Sequence, residues 1–547
     1  MLKLAGIFQD NMVIQRNKPI QVWGTGTPGT IVTVSLFTAT ADTMVCADGS
    51  WKIALQPLCA GAGYTLVASD TAESIVIQNV AVGEVWLAGG QSNMELALKD
   101  SENGIKISEE YSGKNIRFYQ VPKCSMLDEN QKEQEENSTW QIADNRNVGE
   151  MSAIAFYFAS RLSETLHCIV GIIDCYWGGS SITCWMSKEQ LAKLESGKNY
   201  LENYAALVGE KSSQQYTKEM EEYNCAYQHW LKSTEEVKQK DPQASWKEIH
   251  KICGECPWPQ PVGWQSPFRP NGLHETMIRR IAPYSLRGFL YYQGEEDVQR
   301  YADYSDMMQM LVKQWRMDWN DWNLPFLFVQ LPMYLADGEK DDSYWALQRE
   351  QQYIASMMIQ NAGMISLADC GEYDNIHPLD KKTPGERLFQ LAKNLVYDKQ
   401  GTITATAAQL FSDNGKLYVT FDHLHEKLVM QTANGCPFEI SGEDNLFYPA
   451  KADVIHGNMQ IPQLSFHLPS NMPGTILVRQ PCLQKAEIQF LHFSNAYKNM
   501  TGSMIHAKHS QSQCNRKSKS TSEFSFRNRR KSDHHRTAHP DKSNGGN

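Results

Sequence analysis

Ser92, Asp374 and His377 offer an alcohol, a carboxylate and an imidazole, the three groups that together make a serine nucleophile. Ser92 lies in Gly90-Gln91-Ser92-Asn93-Met94, where the apolar run VAVGEVWLAGG from Val80 breaks at two glycines and MELAL begins. A serine between a buried strand and the first turn of a helix has its hydroxyl at a surface corner. Beside it stand backbone N–H groups without partners, at the helix end that favours negative charge. A nucleophile facing a developing oxyanion needs that setting; the plainer role for such a serine is to cap the helix. Asp374-Asn375-Ile376-His377-Pro378 sets a carboxylate three residues ahead of an imidazole. Within one turn that spacing lets the carboxylate accept a hydrogen bond from one ring nitrogen while the other faces a serine. A histidine taken alone is more often structural; with Ser92 it completes a triad in the order serine first, Asp-His last.

Two further motifs follow apolar runs. Gly178-Gly179-Ser180-Ser181 comes after IIDCYW, and its glycines permit a turn whose N–H groups point at a ligand, although a plain turn needs them as well. Gln293-Gly294-Glu295 comes after RGFLYY and places an amide and a carboxylate at another strand end. Trp177 and Trp185 flank the glycine motif and are candidates to stack on a sugar ring, though tryptophan is more often packed inside.

These residues need a scaffold, and the patterning describes one. Residues 1–83 read as short strands (Ile20-Gln21-Val22-Trp23, Ile31-Val32-Thr33-Val34, Trp51-Lys52-Ile53-Ala54-Leu55, Tyr64-Thr65-Leu66-Val67) separated by turns, which predicts an N-terminal β-sandwich. From 84 to 400, buried strands alternate with amphipathic helices such as Ala153 to Leu166 and Met307 to Trp315. This predicts an α/β domain built on a parallel sheet, with its site at the carboxyl ends of the strands. About 188–255 is a charged helical insertion, solvated or serving as a lid. Residues 401–498 return to β character, and 499–547 form a basic tail too poor in aliphatics to order.

With 547 residues and 41% hydrophobic content the chain can bury large cores. Its net charge of -10 is uneven: residues 501–547 hold 10 Lys and Arg against 3 Asp and Glu, leaving -17 for the rest. An acidic body argues against nucleic acid or an anionic membrane as partner. The amino terminus lacks the pattern of a signal peptide and no run reaches membrane-spanning length, so a cytoplasmic enzyme is expected. Thirteen scattered cysteines read as buried thiols rather than a disulfide framework, and the lone pair Cys253 and Cys256 is a poor zinc site. No cofactor and no metal are expected; oligomeric state is open.

In these blocks the chain resembles the sialate O-acetylesterase family of the SGNH hydrolase superfamily. FQDNMVIQRNKPIQVWG, VGEVWLAGGQSNMEL, NIRFYQVPK, VGIIDCYWGGSSI, RGFLYYQGEED, LPFLFVQLP and NIHPLDKKTPGERL carry the resemblance across roughly residues 7 to 400. It implies a three-layer SGNH-type fold, with Ser92 as nucleophile and His377 as general base. The Ser92 N–H, the Gly179 N–H and the Gln293 amide would form the oxyanion hole. Losing one such donor typically costs about 3 kcal/mol of transition-state stabilisation. For the triad acid Asp374 is first choice and Glu295 second, because related acetylesterases draw the carboxylate from two residues before the histidine, here Asn375, or from the Gln-Gly-Glu block. Glu296-Asp297 departs from the Ser-Asn of many relatives. The implied function is metal-independent removal of acetyl groups from sugar hydroxyls, with O-acetylated sialic acid as substrate. Deacetylation of xylan or another glycan is the near alternative, and a non-catalytic carbohydrate-binding protein the distant one.

Overall fold

The computed structural model of the chain describes residues 1–397, apart from 114, 242, 243, 245, 336–343 and 369, and beyond these the strands lying between 406 and 479. The amino-terminal strands are β1 Lys3–Leu4, β2 Val13–Gln15, β3 Ile20–Thr25, β4 Ile31–Leu36, β5 Ala39–Met44, β6 Ser50–Leu55, β7 Gly61–Ser69 and β8 Ser74–Gly90. Strands β1, β3 and β6 form one small sheet, and β5, β4 and β7 run antiparallel up to β8 in another. Alternation decides which faces meet. Trp51, Ile53 and Leu55 of β6 and Val32, Val34 and Leu36 of β4 are buried in one common core, while the residues between them face outward or lie half-buried.

β8 joins this region to the next. Its first residues are mostly exposed or half-buried, and from Val80 onward every residue is buried. The 17-residue strand leaves the edge of the small sheet and becomes the middle of a large one. A boundary after residue 83 therefore falls inside β8. The large sheet is mixed and eleven-stranded, because the antiparallel amino-terminal strands share β8 with a parallel array. That array comprises β9 Ile116–Gln120, β11 Val170–Tyr176, β12 Gly288–Tyr292, β13 Phe326–Val329 and β14 Ala362–Ile365, with β10 Gln141–Ile142 antiparallel at its edge. The spatial order is β10-β9-β11-β8-β12-β13-β14.

Strands β11, β12 and β13 are buried throughout, as strands covered on both faces must be. Leu87, Ile173, Phe289 and Tyr291 point into a core with Trp315 of the helix Tyr304–Asp318. Their neighbours Trp86, Ala88, Ile172 and Leu290 point into a second core with the helices Ala153–Leu166 and Lys382–Ala392. Ser152 caps the first of these, its hydroxyl accepting from the Ala155 N–H at 3.2 Å.

The insertion is helical: Lys188–Leu191, Glu195–Val208, Ser213–Lys240 and Trp246–Cys253, the longest opened by a Ser212/Gln215 capping box. Cys124, Cys168, Cys175 and Cys184 are buried free thiols, but Cys46, Cys59 and Cys225 are exposed ones, so burial accounts for only part of the cysteines. Further along, among the described residues, Thr406–Asp413, Lys416–Asp422, Pro462–His467 and Ala452–His456 pair in one sheet, and Phe447–Ala450, Phe438–Ser441 and Leu477–Arg479 in another. The basic tail lies outside the described residues.

Candidate active site

Register brings three of the sequence motifs to one edge. Gly90, the last residue of β8, pairs with Tyr176 at the end of β11 and with Tyr292 at the end of β12, so the residues after each emerge side by side. The chain crosses from one half of the sheet to the other over β8, and the carboxyl ends beside such a reversal are where α/β sheets bind ligands. Gly90 has φ of 133°, and a Cβ there would lie 2.1 Å from the Tyr292 carbonyl oxygen. Only glycine lets the chain turn this closely against its neighbour.

Ser92 opens a single helical turn, Ser92–Glu95. Its Oγ lies 2.8 Å from Nε2 of His377, which arrives on the loop after β14. Burial and the Lys381 ammonium both push the half-buried imidazole down to about 4, so at neutral pH its Nε2 is free to accept the serine proton.

Neither candidate carboxylate touches that ring. Asp374 lies on the exposed part of the loop and makes no hydrogen bond to His377, and no carboxylate figures among the charges acting on the imidazole. Glu295 turns instead to the residue beside the nucleophile: its Oε1 accepts from Asn93 Nδ2 at 2.6 Å, and its Oε2 is buried without a partner. The same Asn93 Nδ2 donates to the Ile376 carbonyl at 2.9 Å, and Asn93 Oδ1 accepts from Lys381 Nζ at 2.6 Å. Asn93 thus clips the serine turn to the residue before His377. Asn375 Oδ1 accepts from the His377 N–H at 3.0 Å and its amide donates to Glu372, so the loop is braced from inside. Burial drives the Lys381 ammonium down to about 7 and the Glu295 carboxyl upward, and each partly opposes the shift of the other.

The glycine turn supplies donors. Gly179 has φ of 74°, and neither its N–H nor that of Ser92 meets a protein acceptor among the described residues. The preceding Gly178 N–H is already held, donating to Glu95 Oε2 at 2.6 Å. Gln293 is placed differently from a free donor. Its Nε2 gives its hydrogens to Ser180 O at 3.1 Å and Asp297 Oδ2 at 2.7 Å, and its Oε1 accepts from the Tyr304 hydroxyl. In this arrangement Gln293 fixes the shape of the turn.

Residues 261–392 match the family described as carbohydrate esterase, sialic acid-specific acetylesterase. The sialate O-acetylesterase of Mus musculus is 25% identical over 479 residues, covering 80% of this chain and 82% of the mouse protein. That of Homo sapiens is 24% identical over 476 residues, covering 80% of each. A carbohydrate acetylesterase from Xanthomonas citri superposes with a TM-score of 0.67 at 25% identity, over 87% of this chain and 94% of that one. The chain is a carboxylic ester hydrolase, similar to the sialate O-acetylesterases.

Several residues of this esterase's site escaped the sequence reading. Asp297, 1% exposed, accepts from Ser181 Oγ and the Ile182 N–H, both at 2.7 Å, from Gln293, and from the Tyr200 hydroxyl of the helical insertion at 3.2 Å. The Glu296-Asp297 departure therefore puts a carboxylate at the hub of the glycine turn. Trp258, just after the insertion, stands over Gly179: a Cβ there would lie 2.1 Å from its ring. Trp258 is 45% exposed and meets Phe268 edge-on, as the half-buried Trp177 does, whereas Trp185 is sealed in the core with its Nε1–H on Ser180 Oγ at 2.9 Å. An exposed tryptophan beside the glycine turn is open to stacking on a ligand, as the sealed Trp185 is not. Among the described residues no group of three or more His, Cys, Asp or Glu could hold a metal ion.

Proposed function

We propose that this esterase removes O-acetyl groups from sugars, O-acetylated sialic acid first among them, through an acyl-serine intermediate. The observation that carries the reading is the 2.8 Å contact between Ser92 Oγ and His377 Nε2 at the strand edge where two unpartnered backbone N–H groups also lie. Ser92 Oγ attacks the acetyl carbonyl carbon while its proton passes to His377 Nε2. The carbonyl oxygen, now negative, takes the N–H groups of Ser92 and Gly179, held in place by Gln293 and Asp297. Collapse breaks the bond to the sugar oxygen, which leaves with the proton from His377. Water, deprotonated by the same nitrogen, then attacks the acyl-serine; the bond to Ser92 Oγ breaks, acetate leaves, and the proton on His377 returns to the serine oxygen. Support for a sugar comes from the similarity to enzymes named for sialate and carbohydrate acetyl groups, and from Trp258 beside the turn.

Acetate release should be measured on O-acetylated sialic acid, acetylated xylo-oligosaccharides and 4-nitrophenyl acetate. The expected result is fastest release from the sialic acid, a loss of at least about 10³-fold in kcat for Ser92→Ala, and fluorophosphonate labelling that vanishes in that variant. Turnover of xylo-oligosaccharides alone moves the substrate to another glycan. Labelling that persists without Ser92 ends the serine mechanism.

A further inference from the structure

Beside the nucleophile's own helical turn lies a cavity of about 450 Å³ that the chemistry above does not use. Glu95 and Tyr176 line it near the reacting serine, Asp174 and Gln120 line it from the sheet, and Asn137 and Lys123 stand further out. It shares a wall with the oxyanion turn, because the Glu95 carboxylate on the cavity side is the acceptor of the Gly178 N–H. A Cβ on Gly178 would lie 3.2 Å from that of Ser92, so the glycine that the cavity-lining Glu95 holds stands directly against the serine. Its volume is in the range of sites that enclose small molecules.

Asp174 says what the cavity is for. The side chain is 2% exposed, yet its Oδ1 has no hydrogen-bond partner; what faces the carboxyl is the Ser152 N–H, 3.5 Å from Oδ2, and the Tyr176 hydroxyl. A buried acceptor left unmatched is costly, and each such group in a folded protein calls for a reason. The other charges facing the cavity are already matched: Glu95 pairs with Lys123, and Glu150 with Lys99. An anionic group entering here would meet an uncompensated carboxyl and no unpaired cation among the lining residues. A hydroxyl would find an acceptor in Asp174 and further polar partners in Asn137 and Tyr176.

We infer that this cavity is a subsite for an uncharged, polyhydroxylated segment of the substrate, joined to the acetylated hydroxyl that reacts at Ser92. Burial raises the Asp174 carboxyl to about 7 against the opposing Ser152 N–H and Tyr176 hydroxyl, so near neutrality the group can accept from one sugar hydroxyl or donate to it. Any anionic part of the substrate then points away from the cavity. The inference rests on the acetyl-sugar reading and adds which part of the sugar is gripped and where.

The test uses the full chain and two variants: Asp174→Asn, which keeps the shape, and Asn137→Trp, which fills the mouth from an exposed position. Initial rates are taken on O-acetylated sialic acid, on a neutral O-acetylated disaccharide and on 4-nitrophenyl acetate, which has no polyol. Expected is a fall of roughly tenfold or more in the kcat/KM ratio of acetylated sugar to aryl acetate in both variants, carried by KM. Ratios within twofold of the parent in both variants overturn the subsite while leaving the esterase reading intact. A parent protein that hydrolyses the aryl acetate but none of the sugars ends the acetyl-sugar reading, and the subsite with it.

Discussion

At His377 burial and the Lys381 cation act in the same direction, and the sign of the pH dependence follows. In the mechanism proposed above the general base works as the neutral imidazole, so kcat/KM should be retained above its pKa and lost as pH falls through it. With the ring held at about 4, the acid limb of the profile should lie well below the ordinary 6.5. Lys381→Met removes the cation and should move that limb upward; an unmoved limb assigns the depression to burial alone. The carboxylates make a second test. Asp374→Asn should stay within about threefold of the parent, because the side chain is exposed and off the ring. Glu295→Gln should cost roughly tenfold or more in kcat, because it removes the carboxylate that most opposes the lowering of Lys381 and loosens the Asn93 clip between the serine turn and Ile376. The reverse ranking would mean that the loop closes Asp374 onto the imidazole when substrate binds. Ser92 was legible because a strand-to-turn break is local; His377 was singled out by its spacing from Asp374, although that carboxylate stands off the ring. Asn93, Asp297 and Lys381 were not, since an amide, a carboxylate and a lysine at those positions look like ordinary loop residues until the fold buries them.

Among the elements, the junction after β8 carries the steric demand. Gly90→Ala forces a Cβ to within 2.1 Å of a backbone carbonyl at φ of 133°. It should cost about 2 to 4 kcal/mol in urea denaturation and activity with it. An unperturbed midpoint would show that β8 and β12 can separate at their ends. The pair of glycines made this junction readable. The length of the helix behind it was not: the turn stops at Glu95, Leu96 leaves the helical region at ψ of 116°, and Ala97 bridges to Ser152 while the Leu98 N–H bonds to Met151 O. Pairing with a distant segment outcompeted the helical tendency of MELAL. The small strands β1, β2 and β5 escaped for the same reason: two or three residues, or an alternation of Ala, Thr and Asp, carry little apolar periodicity of their own.

In the whole molecule, Glu84 ties the amino-terminal strands to the catalytic sheet. From the middle of β8 its carboxylate takes Arg16 Nε at 2.5 Å, Arg287 Nε at 2.9 Å and the Tyr397 hydroxyl at 3.0 Å. Burial by itself would raise this carboxyl, but the hydrogen bonds and charges of Arg287 and Arg16 outweigh it and hold the group below its ordinary 4.5. A depressed carboxyl contributes stability above the unfolded pKa and loses it as pH falls through the folded one. Glu84→Gln should therefore cost about 3 kcal/mol at pH 7 in chemical denaturation, with the gap to the parent narrowing below pH 4.5. A gap that is constant with pH would assign the loss to packing. The mixed sheet has the same origin as this tie. A parallel array was expected from alternating strands and helices, but β8 runs on from the amino-terminal strands, and nothing in its apolar run marks where one sheet hands over to the next.

By itself the sequence determined the material: which stretches are strands buried on both faces, which helices have an apolar stripe, where glycines break a strand, and which alcohol, imidazole and amide follow those breaks. These depend on neighbours within a few positions, where hydrophobic period and backbone freedom act directly. Only the tertiary structure decided the partners. Ser92 meets His377 across 285 positions of chain and Asn93 meets Ile376 on the loop after β14, while Asn93 meets Glu295 and Gln293 turns to Asp297 and Ser180 where β8, β11 and β12 end in register. Which polar groups pair in a buried space is settled by the packing that excludes water from them, and that packing is a property of the whole chain at once.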